Sequence, residues 1–216
     1  MDKAKWTSLC RRRNFLALVL GFGLLYGLMS SGFISMQYQG IIITIGIYVL
    51  LAASLNLTTG VLGELVLGHA GFMSIGAYTA AILTVKFNVN FLLAIILGAL
   101  FAGFIAFLLG SITLRLKGDY FLITCLGFGE CVRVLFNYTK NITGGSAGYP
   151  GIPAYSNALF SLVCVVLAFF AAWRFIHSKY GRNLTSIREN EMAAEAVGIN
   201  AFRVKRMSFV FSAIYA

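Results

Sequence analysis

From Asn14 to Gly63 the chain carries no Asp, Glu, Lys or Arg, an uninterrupted run of 50 residues. A helix crosses a bilayer with about 20 apolar residues, so the run is long enough for two crossings. The rest of the sequence agrees with it. Only 11% of residues are charged, against about 25% in an ordinary soluble domain, and the mean hydropathy is +0.86. A surface so poor in charge would aggregate in water, which excludes soluble globular classes. The net charge of +10 does not restore a nucleic-acid-binding reading, because the basic residues sit between long apolar runs. The chain therefore reads as all-α, a polytopic membrane protein.

Apolar runs bounded by polar or glycine punctuation predict six spans, at about Phe15–Ser35, Ile41–Thr59, Leu65–Val85, Phe91–Leu114, Tyr120–Tyr138 and Asn157–Ile176. The first follows Lys3, Lys5, Arg11, Arg12 and Arg13 but has no A-x-A cleavage signal, so it reads as a retained span rather than a secretory leader. A seventh run begins at Met207 and stops at Ala216. Ten helical residues rise only about 15 Å, half a hydrocarbon core, so residues 1–216 read as one transmembrane domain incomplete at its C-terminus. Alternating the spans from a cytoplasmic N-terminus puts 14 of the 17 basic residues inside, and Lys and Arg favour the inside. The basic character then follows from topology and contact with membrane lipid rather than from a polyanionic partner.

Glycine, at 23 residues, is the other anomaly. Gly23 and Gly27 form a G-x-x-x-G pair, and Gly98, Ala99, Ala102, Gly103, Ala106 and Gly110 form overlapping small-residue pairs. Small residues let membrane helices approach closely, either within the chain or along a dimer seam. The four cysteines, Cys10, Cys125, Cys131 and Cys164, are scattered and form no metal-ligand spacing. No metal and no cofactor is expected.

Four features stand out as candidates for function. In Thr58–Tyr78 the residues Gly60, Gly63, Gly68, Gly71 and Gly76 surround Glu64 and His69. Each glycine costs a helix about 1 kcal/mol against alanine, so a break is expected near span three. A broken helix at membrane depth survives where it faces protein or a wet cavity, which leaves a translocation path and a tightly packed helix as the two readings. In span five, Glu130 and Arg133 share a helix face at i, i+3. Charges at mid-bilayer face a bundle interior, so an interior ion pair is expected.

The third feature is the exterior loop Thr139–Tyr155, with Thr143, Gly144, Gly145, Gly151 and Pro153. Its glycines permit positive φ and its prolines fix it, predicting a shaped, turn-rich loop. No Gly-Lys-Ser/Thr follows the glycines, so it is not a phosphate loop. If ATP drives this protein, another subunit binds it. The fourth feature is the polar stretch 177–206. Within it, TSIRENEMAAEAVGIN predicts a short helix with a Ser186–Glu189 capping box and a Gly198 stop, and Asn200 capping the next. Ile187, Ala193, Ala194 and Val197 fall in one arc, with Arg188, Glu191 and Glu195 on the other side. Such a helix suits docking into a partner's groove, or lying on the protein's own underside or the membrane surface.

LAASLNLTTGVLGELVLGHAGFMSIGAYTAAIL (Leu51–Leu83), LRLKGDYFLITCLGFGECVRVLFN (Leu114–Asn137), TGGSAGYPGIP and GRNLTSIRENEMAAEAVGIN (Gly181–Asn200) resemble successive signatures of one family. It is the ABC permease family that supplies membrane subunits for branched-chain amino acid uptake, and the chain resembles its M-type member. The resemblance implies a bacterial inner-membrane location, a second permease subunit, two cytoplasmic ATP-binding subunits and a periplasmic substrate-binding protein. It also implies that 177–206 is the coupling loop, with Arg188, Glu189, Glu191, Ala193, Ala194, Glu195 and Gly198 engaging the ATPase. Met192 stands where the family's E-A-A-x-x-x-G pattern has its Glu, with Glu191 one place earlier.

The chain is not expected to be an enzyme, since His69 and His177 are remote in sequence and no carboxylate cluster accompanies them. The alternative is an ion-coupled secondary transporter of small solutes, which would ordinarily show internal repeats and more intramembrane charge. Leucine, isoleucine and valine as substrates follow from the resemblance alone, and a related amide or urea remains open.

Overall fold

A computed structural model describes residues 36–116, 118–152 and 158–216, and every regular element among them is helical. Helix α1 spans Met36–Asn56 and runs directly into a π-turn, Leu57–Leu62. After a non-helical stretch come α2 (His69–Lys86), α3 (Phe91–Thr113) and α4 (Asp119–Tyr138). A single helical turn at Lys140–Thr143 and a 3-10 turn at Gly145–Ala147 follow. The chain then forms α5 (Ala158–Ile176), α6 (Lys179–Glu189), α7 (Glu191–Ala196) and α8 (Ala201–Tyr215). Among the described residues, three helical segments are long and apolar enough to cross a bilayer: Tyr38–Leu62, Phe91–Thr113 and Leu159–Ile176. The expected first span, Phe15–Ser35, and the Gly23–Gly27 pair lie outside the described residues.

The expected third span starts at His69 rather than Leu65, because Gly63 adopts a left-handed conformation (φ 88°) and the helix does not resume before His69. Asn90 opens α3, its side chain accepting from the Leu92 N–H at 3.2 Å. The expected seventh run is part of a helix that begins six residues earlier, at Ala201.

The chain divides into two units. The first holds Met1–Tyr48 and Ser156–Leu167, and within it Gly46 backs onto Ser161. The second holds Val49–Tyr155 and Ala168–Ala216. Its architecture follows from the small residues. Ala94, Gly98, Ala102, Ala106 and Gly110 recur every fourth position of α3 and are all buried. A Cβ at Gly98 would lie 2.7 Å from the Gly76 carbonyl oxygen of α2. At Gly110 it would lie 3.0 Å from Phe209 of α8. The stripe is therefore filled by the chain's own helices, as close approach requires.

Where α2, α3, α4 and α8 meet, Phe72, Phe121, Cys125, Ala106 and Phe209 form one buried cluster. The rings of Phe72 and Phe209 cross edge to face at 5.4 Å and 86°, an arrangement the aromatic quadrupole favours. The opposite face of α3 is bare: Leu93, Ile96, Leu100, Phe104 and Leu108 are all exposed. That face suits lipid contact, not water.

Candidate functional site

The end of α1 is shaped by two glycines. A Cβ at Gly60 would collide with the Asn56 side chain, and Gly63 takes the positive φ that ends the turn. The Thr58 carbonyl accepts from both Gly63 N–H (3.1 Å) and Glu64 N–H (3.3 Å), the wide closure of a π-turn. Carbonyls in a last helical turn lack backbone partners. The Gly60 carbonyl is met instead by Arg188, whose Nη1 donates at 2.6 Å. The stem of Arg188 lies over Gly63, where a Cβ would come within 3.2 Å of its Cγ.

One residue on, Glu64 accepts from Lys205 Nζ at 2.7 Å. Lys205 also reaches Glu191, at 3.0 Å. Its side chain is only 12% exposed. Burial by itself would lower the lysine pKa, but hydrogen bonding and charge from Glu64 and Glu191 outweigh it and raise it. Two features that sequence reading kept apart, the glycine-rich break and the polar loop 177–206, are thus one constellation. Lys205 was missed because it sits in a segment already rich in cations.

The loop itself corrects two expectations. The stretch expected as one helix capped by Ser186 is two helices, capped by Ser178 and Asn190. Asn190 is extended (φ −159°, ψ 107°), and its side chain accepts from Ala193 N–H at 3.0 Å. The Ser186 hydroxyl instead donates back to the Arg182 carbonyl. Ile187 and Ala194, expected on a docking face, are buried with Leu62, Leu184, Ala201 and Val204 inside the chain. Facing outward are Met192 (82% exposed) and Val197 (78%), with Glu189, Ala193 and Glu195 also exposed. The Gly198 stop (φ 87°) and the Asn200 cap, which accepts from Arg203 N–H at 2.9 Å, form as the spacing predicts.

A buried polar network ties α1, α2 and α8 together. Ser54 Oγ donates to the Ser212 carbonyl at 2.7 Å, and Ser212 Oγ donates to the Ser54 carbonyl at 2.6 Å. With its one proton committed, Ser54 Oγ accepts from His69 Nε2, 2.5 Å away. That assigns the Nε2–H tautomer to His69, whose Nδ1 has no partner among the described residues. Beside it, Gly68 and Gly71 pass close against α4. A Cβ on Gly68 would collide with the Cys125 carbonyl, and one on Gly71 would lie 3.3 Å from Gly129.

Glu130 and Arg133 do pair, at 3.0 Å, but their side chains are 56% and 72% exposed rather than enclosed in an interior. The inward residues of α4 are Phe121, Cys125 and Val132, so the pair projects from the opposite side. In the loop after α4, Thr143 is buried and donates to the Phe136 carbonyl at 2.6 Å and the Thr139 carbonyl at 2.8 Å. Gly144, Gly145, Gly148 and Gly151 all take positive φ, and Pro153 lies outside the described residues. No cluster of metal-ligating side chains occurs among the described residues.

Residues 37–216 match the family model described as branched-chain amino acid transport system, permease component. Over 204 aligned residues the chain is 35% identical to the high-affinity branched-chain amino acid transport system permease protein LivM of Escherichia coli (strain K12), covering 79% of this chain and 48% of that protein. The protein of the same description from Salmonella typhimurium (strain LT2) matches with the same identity and coverage. The probable branched-chain amino acid transport permease protein LivM of Methanocaldococcus jannaschii is 29% identical over 225 residues, covering 83% of this chain and 64% of that protein. The chain spans about half the length of the first two relatives. No solved structure matches it.

Proposed function

The chain belongs to the branched-chain amino acid transport permease family, and on that premise we propose that it works as a membrane-spanning permease subunit of an ABC importer. Branched-chain amino acids are the proposed cargo. ATP is hydrolysed by two separate cytoplasmic subunits, a second permease subunit completes the path, and a periplasmic binding protein delivers the substrate. The chain lies in a bacterial inner membrane with six spans, its N-terminus and residues 177–206 cytoplasmic. The glycine-rich segment Gly60–Gly71, with Glu64 and His69, borders the path.

The observation that carries this reading is the two-faced construction of the cytoplasmic loop. Ile187 and Ala194 anchor it inward, while Met192, Ala193 and Val197 are an exposed apolar set, with the exposed carboxylates Glu189 before it and Glu195 within it. An exposed apolar set among charges is suited to seating in a groove on another protein. Docking is therefore assigned to the outward residues, and Ala194 to holding them in place.

Met192→Glu with Val197→Glu should leave the permease inserted and folded but strip the ATP-binding subunits during purification. Ala194→Trp should behave differently. It overfills the chain's own core, at a typical cost of about 1–3 kcal/mol, so the amount of folded permease should fall. Normal recovery of the ATP-binding subunits with the double glutamate variant would overturn the docking assignment.

A further inference from the structure

We propose that Arg188 and the Glu64–Lys205–Glu191 ion triad form the latch through which the cytoplasmic loop governs the π-turn at the end of α1. The proposal rests on the docking reading above, in that the ATP-binding subunits move the loop. It adds the route by which that movement enters the membrane bundle.

The π-turn is the element fit to respond. π-turns are short interruptions of α-helical bonding, frequent at functional sites, and this one ends with the Thr58 carbonyl accepting from both Gly63 and Glu64 N–H. A cation at a helix C-terminus stabilises that end through the exposed carbonyls, and Arg188 supplies it at Gly60. Arg188 belongs to α6, two residues before the extended Asn190 junction. A displacement of α7 about Asn190 therefore pulls directly on the residue capping the turn.

The ion triad holds the other side. Glu64 follows Gly63 immediately, and Glu191 is the first residue of α7. Lys205 Nζ joins them at 2.7 and 3.0 Å. Lys205 bridges the two carboxylates Glu64 and Glu191, while Arg188 bonds the Gly60 carbonyl of the same turn. Lys205 is the most buried member, and removing it leaves both carboxylates without their counter-charge, so the triad closes or opens with it.

Both arms lead into the bundle. Ser54, three residues before the π-turn, bonds His69 and Ser212. Lys205 and Ser212 are seven residues apart on α8, two turns along one face. Helix α8 thus carries both Lys205 and Ser212, and α1 carries Ser54 into the π-turn, so a change in the turn reaches α2 through the serine–histidine network. Lys205 and Arg188 act as positioning residues in this scheme; neither touches the cargo.

The test measures cargo imported per ATP hydrolysed in proteoliposomes holding the whole permease with its ATP-binding subunits, driven by the binding protein and leucine. Only assembled complexes contribute, so a loss of folding or docking removes sample without moving the ratio. Lys205→Met should lower the ratio about tenfold, inside the ordinary range of coupling energies, and Lys205→Arg should stay within about twofold of the parent. Should Lys205→Met fail to assemble, Arg188→Gln reads the same quantity from the other arm and should lower it similarly. A ratio within about twofold of the parent in the substitutions that assemble overturns the latch. Failure of the docking reading looks different: it is normal recovery of the ATP-binding subunits with Met192→Glu and Val197→Glu.

Discussion

Ser54 and Ser212 exchange hydroxyl and carbonyl hydrogen bonds across two helices, and His69 adds its N–H to the same oxygen. Ser54→Ala would remove a donor and an acceptor at once, leaving the His69 N–H buried without a partner and the Ser212 carbonyl with only the Ala216 N–H. An unsatisfied buried group costs about 1–3 kcal/mol. The thermal midpoint of the detergent-purified permease should fall accordingly, and an unchanged midpoint would show that the network carries no stability. Of this trio only His69 was legible in the sequence. A serine in an apolar helix ordinarily bonds back to its own preceding turn, as Ser111 does to the Phe107 carbonyl. Nothing in the spelling of Ser54 or Ser212 distinguishes them from that habit, because their partner lies 158 residues away in the chain. Glu64 was visible as a lone carboxylate beside a long apolar run, but its partner Lys205 was one cation among several.

At the scale of elements, the close pairing of α2 and α3 makes a sharp contrast between glycines testable. Gly98→Ala would place a methyl 2.7 Å from the Gly76 carbonyl oxygen, backbone that cannot swing aside. Gly127→Ala meets nothing within 4 Å and gains about 0.5–1 kcal/mol of helix propensity. The first should destabilise and the second should not, measured as thermal midpoints of the two variants side by side. Equal effects would contradict the packing described for α3. Helix positions were readable because period and punctuation coincide: α3 runs Phe91–Thr113 where Phe91–Leu114 was expected, and α4 runs Asp119–Tyr138 where Tyr120–Tyr138 was expected. The helix of the polar loop was misread for a specific reason. Ser186 and Glu189 have capping-box spacing, but Asn190 stands nearer the acidic first turn of α7 and takes the cap. The helical arc placed Ala193 and Ala194 on one face, but adjacent helical residues point about 100° apart, and Ala194 turns inward while Ala193 stays outside. The Glu130–Arg133 pair was right in its spacing and wrong in its surroundings, since i, i+3 geometry fixes that two residues meet, not what the shared face looks onto.

For the whole molecule, the steep asymmetry of Lys and Arg sets the proposed orientation, and two exposed serines probe it. With the native cysteines replaced, Ser146→Cys should react with an impermeant thiol reagent in intact cells and Ser186→Cys should not; the reverse pattern would invert the topology. Membership of the family was legible from four sequence blocks in order, but the source of energy was not, because no Gly-Lys-Ser/Thr phosphate loop occurs in the sequence to mark one. The deciding measurement is therefore leucine uptake into proteoliposomes containing the permease and its ATP-binding subunits, with the binding protein outside. ATP enclosed in the vesicles is compared with an imposed proton or sodium gradient. The account predicts uptake that requires internal ATP and the binding protein and is indifferent to the ion gradients. Uptake driven by a gradient in vesicles without ATP would contradict it and make the chain a subunit of an ion-coupled transporter.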